Sequence, residues 1–193
     1  MSAPTLTGFD LANRENFFEF CQANATWQIE RNSRGEIVVK MPTGGESGFR
    51  NAELTAQLVV WSRLNGAGRA FDSNTGFDLP NGAMRSPDAS WVSKARLATL
   101  TAGQKKKFLP LAPDFAAELC SETDSLALLQ EKMEEYMACG VRLALLLDPT
   151  TRNVHVYRPN TEPQVLETPQ TLDCSPELPG LTLDIAAIFD AEL

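Results

Sequence analysis

Three carboxylates and one lysine stand in this chain where local structure alone would not choose them. Asp88, in the run RSPDASWV, puts an acid at the start of an apolar, strand-like segment. Taken alone it reads as a turn residue capping the preceding loop. Glu118 lies inside FAAELC, a short apolar run of the kind that forms a central strand covered on both faces. A carboxylate there needs an ion-pair partner or a cation, because an unpaired charge in low dielectric is very costly. Glu53 opens the segment NAELTAQLVVWSRLNG. On a helical wheel with Leu54 at the origin, Glu53 falls near ~260° and Gln57 near ~300°, inside an apolar stripe spanning roughly 240° to 40°. The helix dipole would also favour an acid at that end, so a purely structural role fits Glu53 equally well. Lys132 sits at the edge of the apolar stripe of LALLQEKMEEYM, where its stem could reach the strand carrying Glu118, or it could pair in solvent with Glu135 or Asp124. Gln130 lies near the opposite edge of that stripe. Together, two strand acids and a helical one could hold one or two Mg²⁺ ions through oxygen ligands. An adjacent ammonium would position water or offset charge on a pentavalent phosphate, which is hydrolytic phosphodiester chemistry.

The elements that must position these groups follow from pattern. Residues 10–24, with Asp10 as N-cap candidate and a Phe17/Phe18/Phe20 cluster, predict a first helix. TWQIERNSRGEIVVKMP predicts a hairpin about Asn32–Gly35, and TGGESG reads as a loop. NAELTAQLVVWSRLNG predicts a helix stopped at Gly66. Residues 68–93 supply short strands split by turns, and 94–107 a polar linker with a short helix. The strand PDFAAELCS leads to a helix capped by Thr123 or Asp124 and stopped at Gly140, then to strands 141–147 and 152–158 and a Pro-rich tail ending in a short strand and helix. This order implies an α/β chain with a mixed central β-sheet flanked by helices. The predicted division of the single domain is an N-terminal helix and hairpin (10–42), a core (46–167) and a C-terminal extension (168–193).

Composition excludes several alternatives. The chain has 193 residues, 43% of them hydrophobic, enough for one domain with a proper core. No run approaches the length of a membrane span, and the N-terminus lacks the pattern of a signal peptide. The four cysteines form no CxxC pair and there is one histidine, His155, which argues against zinc, a disulfide framework and a catalytic triad, and for a cytoplasmic protein. His155, in the alternating run NVHVYRP, is expected to face solvent. Cys120 reads as a buried strand thiol, reactive only if an electropositive neighbour such as Lys132 lowers its pKa. The net charge of −8 is unevenly spread: residues 31–107 carry 12 basic against 6 acidic side chains, and residues from 108 onward carry 4 against 15. The middle of the chain could thus face phosphates from a small basic cleft on an acidic body.

From about Phe17 to Pro159 the sequence resembles the Uma2 (DUF820-like) family of restriction-endonuclease-like proteins of the PD-(D/E)XK nuclease superfamily. The matching stretches are TGGESGFRNAELTAQLVVWSR, STGFDLPNGAMRSPDASWV, PLAPDFAAEL, LLQEKMEEYMACGVRLALLLDP and VHVYRP. The resemblance implies a restriction-endonuclease-like core and an endonuclease that hydrolyses DNA with Mg²⁺ or Mn²⁺. It implies that Asp88 is the acid of the PD motif, Glu118 that of the (D/E)XK strand and Glu53 the helical acid, all three as metal ligands. The pattern's lysine would stand at position 120, which is cysteine here; the resemblance moves its role to Lys132. Gln57, Gln130 and Cys120 are then expected around the site, with Arg50, Arg69, Arg85, Lys94 and Lys105–Lys107 as phosphate contacts and a homodimer as the assembly. The alternative is a catalytically inactive member of the fold, serving as a nucleic-acid-binding or protein-interaction module.

Overall fold

The computed structural model describes residues 13–122 and 124–190. Helix α1 (Arg14–Ala23) begins at Asn13, whose side chain accepts hydrogen bonds from the backbone N–H groups of Glu15 and Asn16. Asp10 and Thr123, expected as caps, lie outside the described residues. The predicted hairpin forms as β1 (Gln28–Arg31) and β2 (Ile37–Lys40), paired antiparallel. Its turn closes through the Asn32 carboxamide, which accepts from the Arg34 and Glu36 N–H groups, and through Gly35 at φ 84°. Helix α2 runs from Gly45 to Asn65 and stops at Gly66, which is left-handed at φ 70°. The TGGESG loop expected from sequence is therefore mostly the first turn of α2. Glu46 in that first turn favours the helix dipole and pairs with Arg50 one turn on, at 2.9 Å, which offsets the two glycines.

The chain then lays down β3 (Gly68–Asp72), β4 (Phe77–Asp78), β5 (Met84–Arg85) and β6 (Ala89–Ser93), followed by the short helix α3 (Lys94–Ala98) and a 3₁₀ turn at Gln104–Lys106. After these come β7 (Phe115–Leu119), α4 (Leu126–Ala138), β8 (Leu143–Asp148) and β9 (Asn153–Tyr157). The C-terminal segment adds β10 (Gln164–Glu167), β11 (Thr171–Asp173), β12 (Thr182–Asp184) and α5 (Ile185–Phe189). The main sheet is mixed, in the order β10-β9-β8-β7-β6-β3, with β7 and β8 parallel and the other pairs antiparallel. A second sheet, β2-β1-β5-β4, joins the hairpin to the two short strands that precede Asp88.

Both faces of the main sheet are covered, as the unbroken apolar runs of β7 and β8 require. Leu54, Leu58 and Trp61 of α2 pack on one face with Phe115, Leu145 and Val156. Leu172, Leu183, Ile185 and Ile188 belong to the same cluster, so the C-terminal extension completes the principal core. Met133 and Tyr136 of α4 cover the other face with Ala116, Leu146 and Tyr157. His155, expected in solvent, lies in β9 opposite Leu146 and is only 9% exposed. Period two alone could not show that α4 covers that side of the strand.

Candidate active site

Antiparallel pairing of β6 with β7 sets Ala89 against Ala117, which brings Asp88, just before β6, beside Glu118 in β7. The link is direct: Asp88 Oδ2 accepts the Leu119 N–H at 2.8 Å. Glu118 is 1% exposed. Its Oε1 accepts the Tyr136 hydroxyl at 2.8 Å and lies 2.7 Å from Lys132 Nζ. Lys132, itself 5% exposed, also reaches Glu30 Oε1 at 3.0 Å. The long lysine stem thus runs inward from α4, to Glu118 and Glu30 rather than to Glu135 or Asp124. Asp124 instead accepts from the N–H and hydroxyl of Ser121.

Glu30 and Lys40, from the hairpin, complete the cluster. In the β1–β2 register Gln28 faces Lys40 and Glu30 faces Val38, so Glu30 and Lys40 are diagonal neighbours on one face. Glu30 Oε1 also accepts the Ser86 N–H at 3.1 Å, and Oε2 pairs with Arg85 at 3.2 Å. Arg85 is further held by Glu135. Lys40 Nζ stands 3.2 Å from Glu30 Oε1 and 3.7 Å from both Asp88 Oδ1 and Glu118 Oε2. These residues line a cleft of about 840 Å³ between the hairpin, the start of α2 and α4.

Electrostatics follow from this packing. Burial and the neighbouring Glu118 charge push the Asp88 carboxyl up to about 6, against the pull of Lys40 and the Leu119 N–H. Burial would raise Glu30 as well, but Lys132, Lys40 and Arg85 outweigh it and hold that carboxyl down to about 2. Lys40 is opposed by burial and favoured by Glu118, Glu30 and Asp88, which keep its ammonium well above the usual range. Burial and the Glu118 and Glu30 charges raise the Tyr136 phenol, leaving it a neutral donor.

Of the residues nominated from sequence, Asp88, Glu118 and Lys132 converge and Glu53 does not. Glu53 and Gln57, which the helical wheel put inside the core-facing stripe, are half-buried on a flank of α2 that meets the C-terminal extension. Gln57 donates to Glu53 and to the Asp184 carbonyl and accepts the Asp184 N–H. The α2 side chains that line the cleft are Ser47 and Asn51. Gln130 is absent from the cleft lining among the described residues. Cys120 packs at the rim of the α4-side core, and burial with Asp148 and Asp124 pushes its thiol up to about 11, the opposite of an activated thiolate.

The expected phosphate contacts scatter. Arg50 pairs with Glu46 and reaches the Phe189 carbonyl, and Arg69 bonds the Gly68 carbonyl. Arg69 and Lys94 sit at the opposite end of the sheet from Asp88, where Gly68 pairs with Ser93, roughly 15–20 Å along the strands. Only Arg85 among the nominated cations lines the cleft, and it is committed to Glu30 and Glu135. The basic cleft expected from charge distribution is not found: the lining carries seven carboxylates and four cations, each of the four ion-paired. Glu30, Lys40 and Tyr136 were not singled out in the sequence. The hairpin register carried a usable signal for the first two, since a Glu and a Lys fall diagonally across it.

As arranged, no group of three or more His, Cys, Asp or Glu side chains is poised to hold a metal among the described residues. The donor chemistry nevertheless fits a hard divalent cation. Asp88 Oδ1 and Glu118 Oε2 both reach one positive centre, the Lys40 ammonium, and Mg²⁺ needs only one or two protein carboxylates besides water.

The site thus joins an aspartate before one strand, a glutamate on the next and a lysine bonded to it, on a mixed sheet between helices. A family model matches residues 14–186: the chain belongs to the Uma2 family, described as putative restriction endonuclease. Among solved structures, a putative nuclease belonging to DUF820 from Anabaena variabilis is similar at TM-score 0.72 and 21% identity, covering 83% of this chain and 89% of that one. The DrdV–DNA complex aligns at TM-score 0.39 and 18% identity over 76% of this chain and 12% of that one. No curated protein sequence matches. No helix among the described residues is long and apolar enough to cross a membrane.

Proposed function

We propose that the chain is a divalent-metal-dependent endonuclease that hydrolyses DNA phosphodiester bonds in the cleft between the hairpin and α4. The observation that carries this reading is a division of labour within each carboxylate. Asp88 Oδ2 and Glu118 Oε1 are engaged by the protein, while Asp88 Oδ1 and Glu118 Oε2 turn toward one point in the cleft. Asp88 and Glu118 would hold Mg²⁺ or Mn²⁺ through those oxygens. When bound, the cation supplies Lewis-acid stabilisation of the phosphate and makes water a stronger nucleophile. Lys132 orients Glu118 and offsets its charge, and stands in for the lysine expected two residues after the acid. Tyr136 fixes the same oxygen by donating its hydroxyl proton. Glu30 holds Lys132 and Arg85 in place and is a positioning residue.

The test is cleavage of plasmid DNA with and without Mg²⁺ by wild type, Asp88→Ala and Glu118→Ala, each shown to be folded by circular dichroism. The expected result is Mg²⁺-stimulated nicking by wild type alone. Cleavage by pure Glu118→Ala at the wild-type rate would sink the assignment. An inactive fold member is the competing reading. The contact between Glu118 and Lys132 supports the active reading, because it brings an ammonium to the acid despite Cys120.

A further inference from the structure

The hydrolytic reading uses Asp88, Glu118 and Lys132 and leaves Lys40 without a task. Its ammonium is surrounded by oxygen: Glu30 Oε1 and the Ser86 carbonyl at 3.2 Å, Asp88 Oδ1 and Glu118 Oε2 at 3.7 Å. The partner oxygens are otherwise occupied, Asp88 Oδ2 by the Leu119 N–H and Glu118 Oε1 by Tyr136 and Lys132. One ammonium therefore meets both of the carboxylate oxygens that face the cleft. The local charge balance points the same way. Glu30, Asp88, Glu118 and Glu135 oppose Lys40, Lys132 and Arg85, a deficit of one. Without Lys40 the deficit is two, the charge of one divalent ion.

We propose that Lys40 is a displaceable resident cation: it holds the two cleft-facing carboxylate oxygens in the metal-free protein and swings out when a divalent cation takes them. The two lysines differ in freedom. Lys132 is enclosed, with its side chain 6% exposed, and its departure would strand Glu30 and Glu118. The Lys40 side chain is 26% exposed and projects from the outermost strand of the small sheet, so its flexible stem has an open side to move into. An ammonium is a compact, strongly hydrated charge, and returning it to water offsets the contacts it leaves. Lys40 would thereby set the metal affinity of the site, while preventing buried Glu118 and half-buried Asp88 from facing one another uncompensated.

This inference rests on the metal-dependent reading of the cleft, and the experiment separates the two. Mn²⁺ alone is titrated calorimetrically into wild type and Lys40→Met, with Lys40→Gln as a second variant should the first not fold. In parallel, acylation of Lys40 in the wild type by an amine-reactive reagent is followed by peptide mass spectrometry with and without Mn²⁺. The expected outcome is at least tenfold tighter Mn²⁺ binding in the variant and a several-fold rise in Lys40 labelling when Mn²⁺ saturates the wild type. The labelling arm needs no variant and distinguishes displacement from a mere gain in negative charge. Unchanged or weaker binding in the variants, or Lys40 labelling unaffected by saturating Mn²⁺, overturns displacement and leaves the metal site standing. Failure of wild type and variant alike to bind Mn²⁺ overturns both.

Discussion

Lys132 and Tyr136 make opposite kinds of contribution to Glu118, and substitution separates them. Lys132→Met removes a buried cation from between Glu118 and Glu30 and leaves acids in low dielectric. Breaking a buried ion pair from one side typically costs about 3–5 kcal/mol. The urea midpoint should fall accordingly, and Mg²⁺-stimulated cleavage should be lost. Tyr136→Phe removes one neutral donor to a charged acceptor, at a cost of about 1.5–3 kcal/mol, and should slow cleavage without abolishing it. Glu30 gives a pH signature. Its folded carboxyl is held below the ordinary value of 4.5, at about 2, so its contribution to stability is complete above the ordinary value and disappears as pH falls through about 2. Urea unfolding of wild type should therefore weaken steadily from about pH 4.5 downward, and Glu30→Gln should flatten that limb. An unchanged acid limb in the variant would show that Glu30 is not held by its three cations.

At the scale of elements, the central sheet depends on a close approach at its outer strand pair. A Cβ at Gly68 would lie 2.2 Å from the Trp91 ring and 2.4 Å from the Val92 carbonyl oxygen, so β3 cannot accept a side chain there. Gly68→Ala should cost at least the ~1–3 kcal/mol typical of overpacking, read from a thermal melt. Much of this layer was legible in sequence. Asn-Ser-Arg-Gly at 32–35 marked the hairpin, Gly66 the end of α2, and the unbroken apolar runs the two buried strands. The failures share a cause, the identity of the partner packed against an otherwise readable surface. The helical wheel put Glu53 inside the apolar stripe, but the extension around Asp184, not the cleft, covers that side of α2. Alternation put His155 opposite its apolar neighbours, but α4 covers that side too. Asp88, Glu118 and Lys132 were recoverable because each broke a local rule. Glu30 broke none, since an acid in a hairpin strand ordinarily faces water.

The whole molecule is acidic, and so is the cleft, where every cation is already paired. Much of DNA affinity comes from neutralising phosphates with free cations, which the cleft does not offer in this state. DNA binding should therefore depend on divalent ions. In a filter-binding assay at physiological salt, retention should be weak in EDTA and rise in Ca²⁺. Equal retention in both would place the DNA-binding surface away from the carboxylates. Asp88 and Glu118 are proposed to hold one divalent cation between hairpin and α4. An anomalous-difference map from crystals soaked in Mn²⁺ would locate that cation. A peak is expected within coordination distance of Asp88 Oδ1 and Glu118 Oε2, with Glu53 outside the shell and Lys40 turned away. A fully soaked crystal with no peak at these oxygens would contradict it.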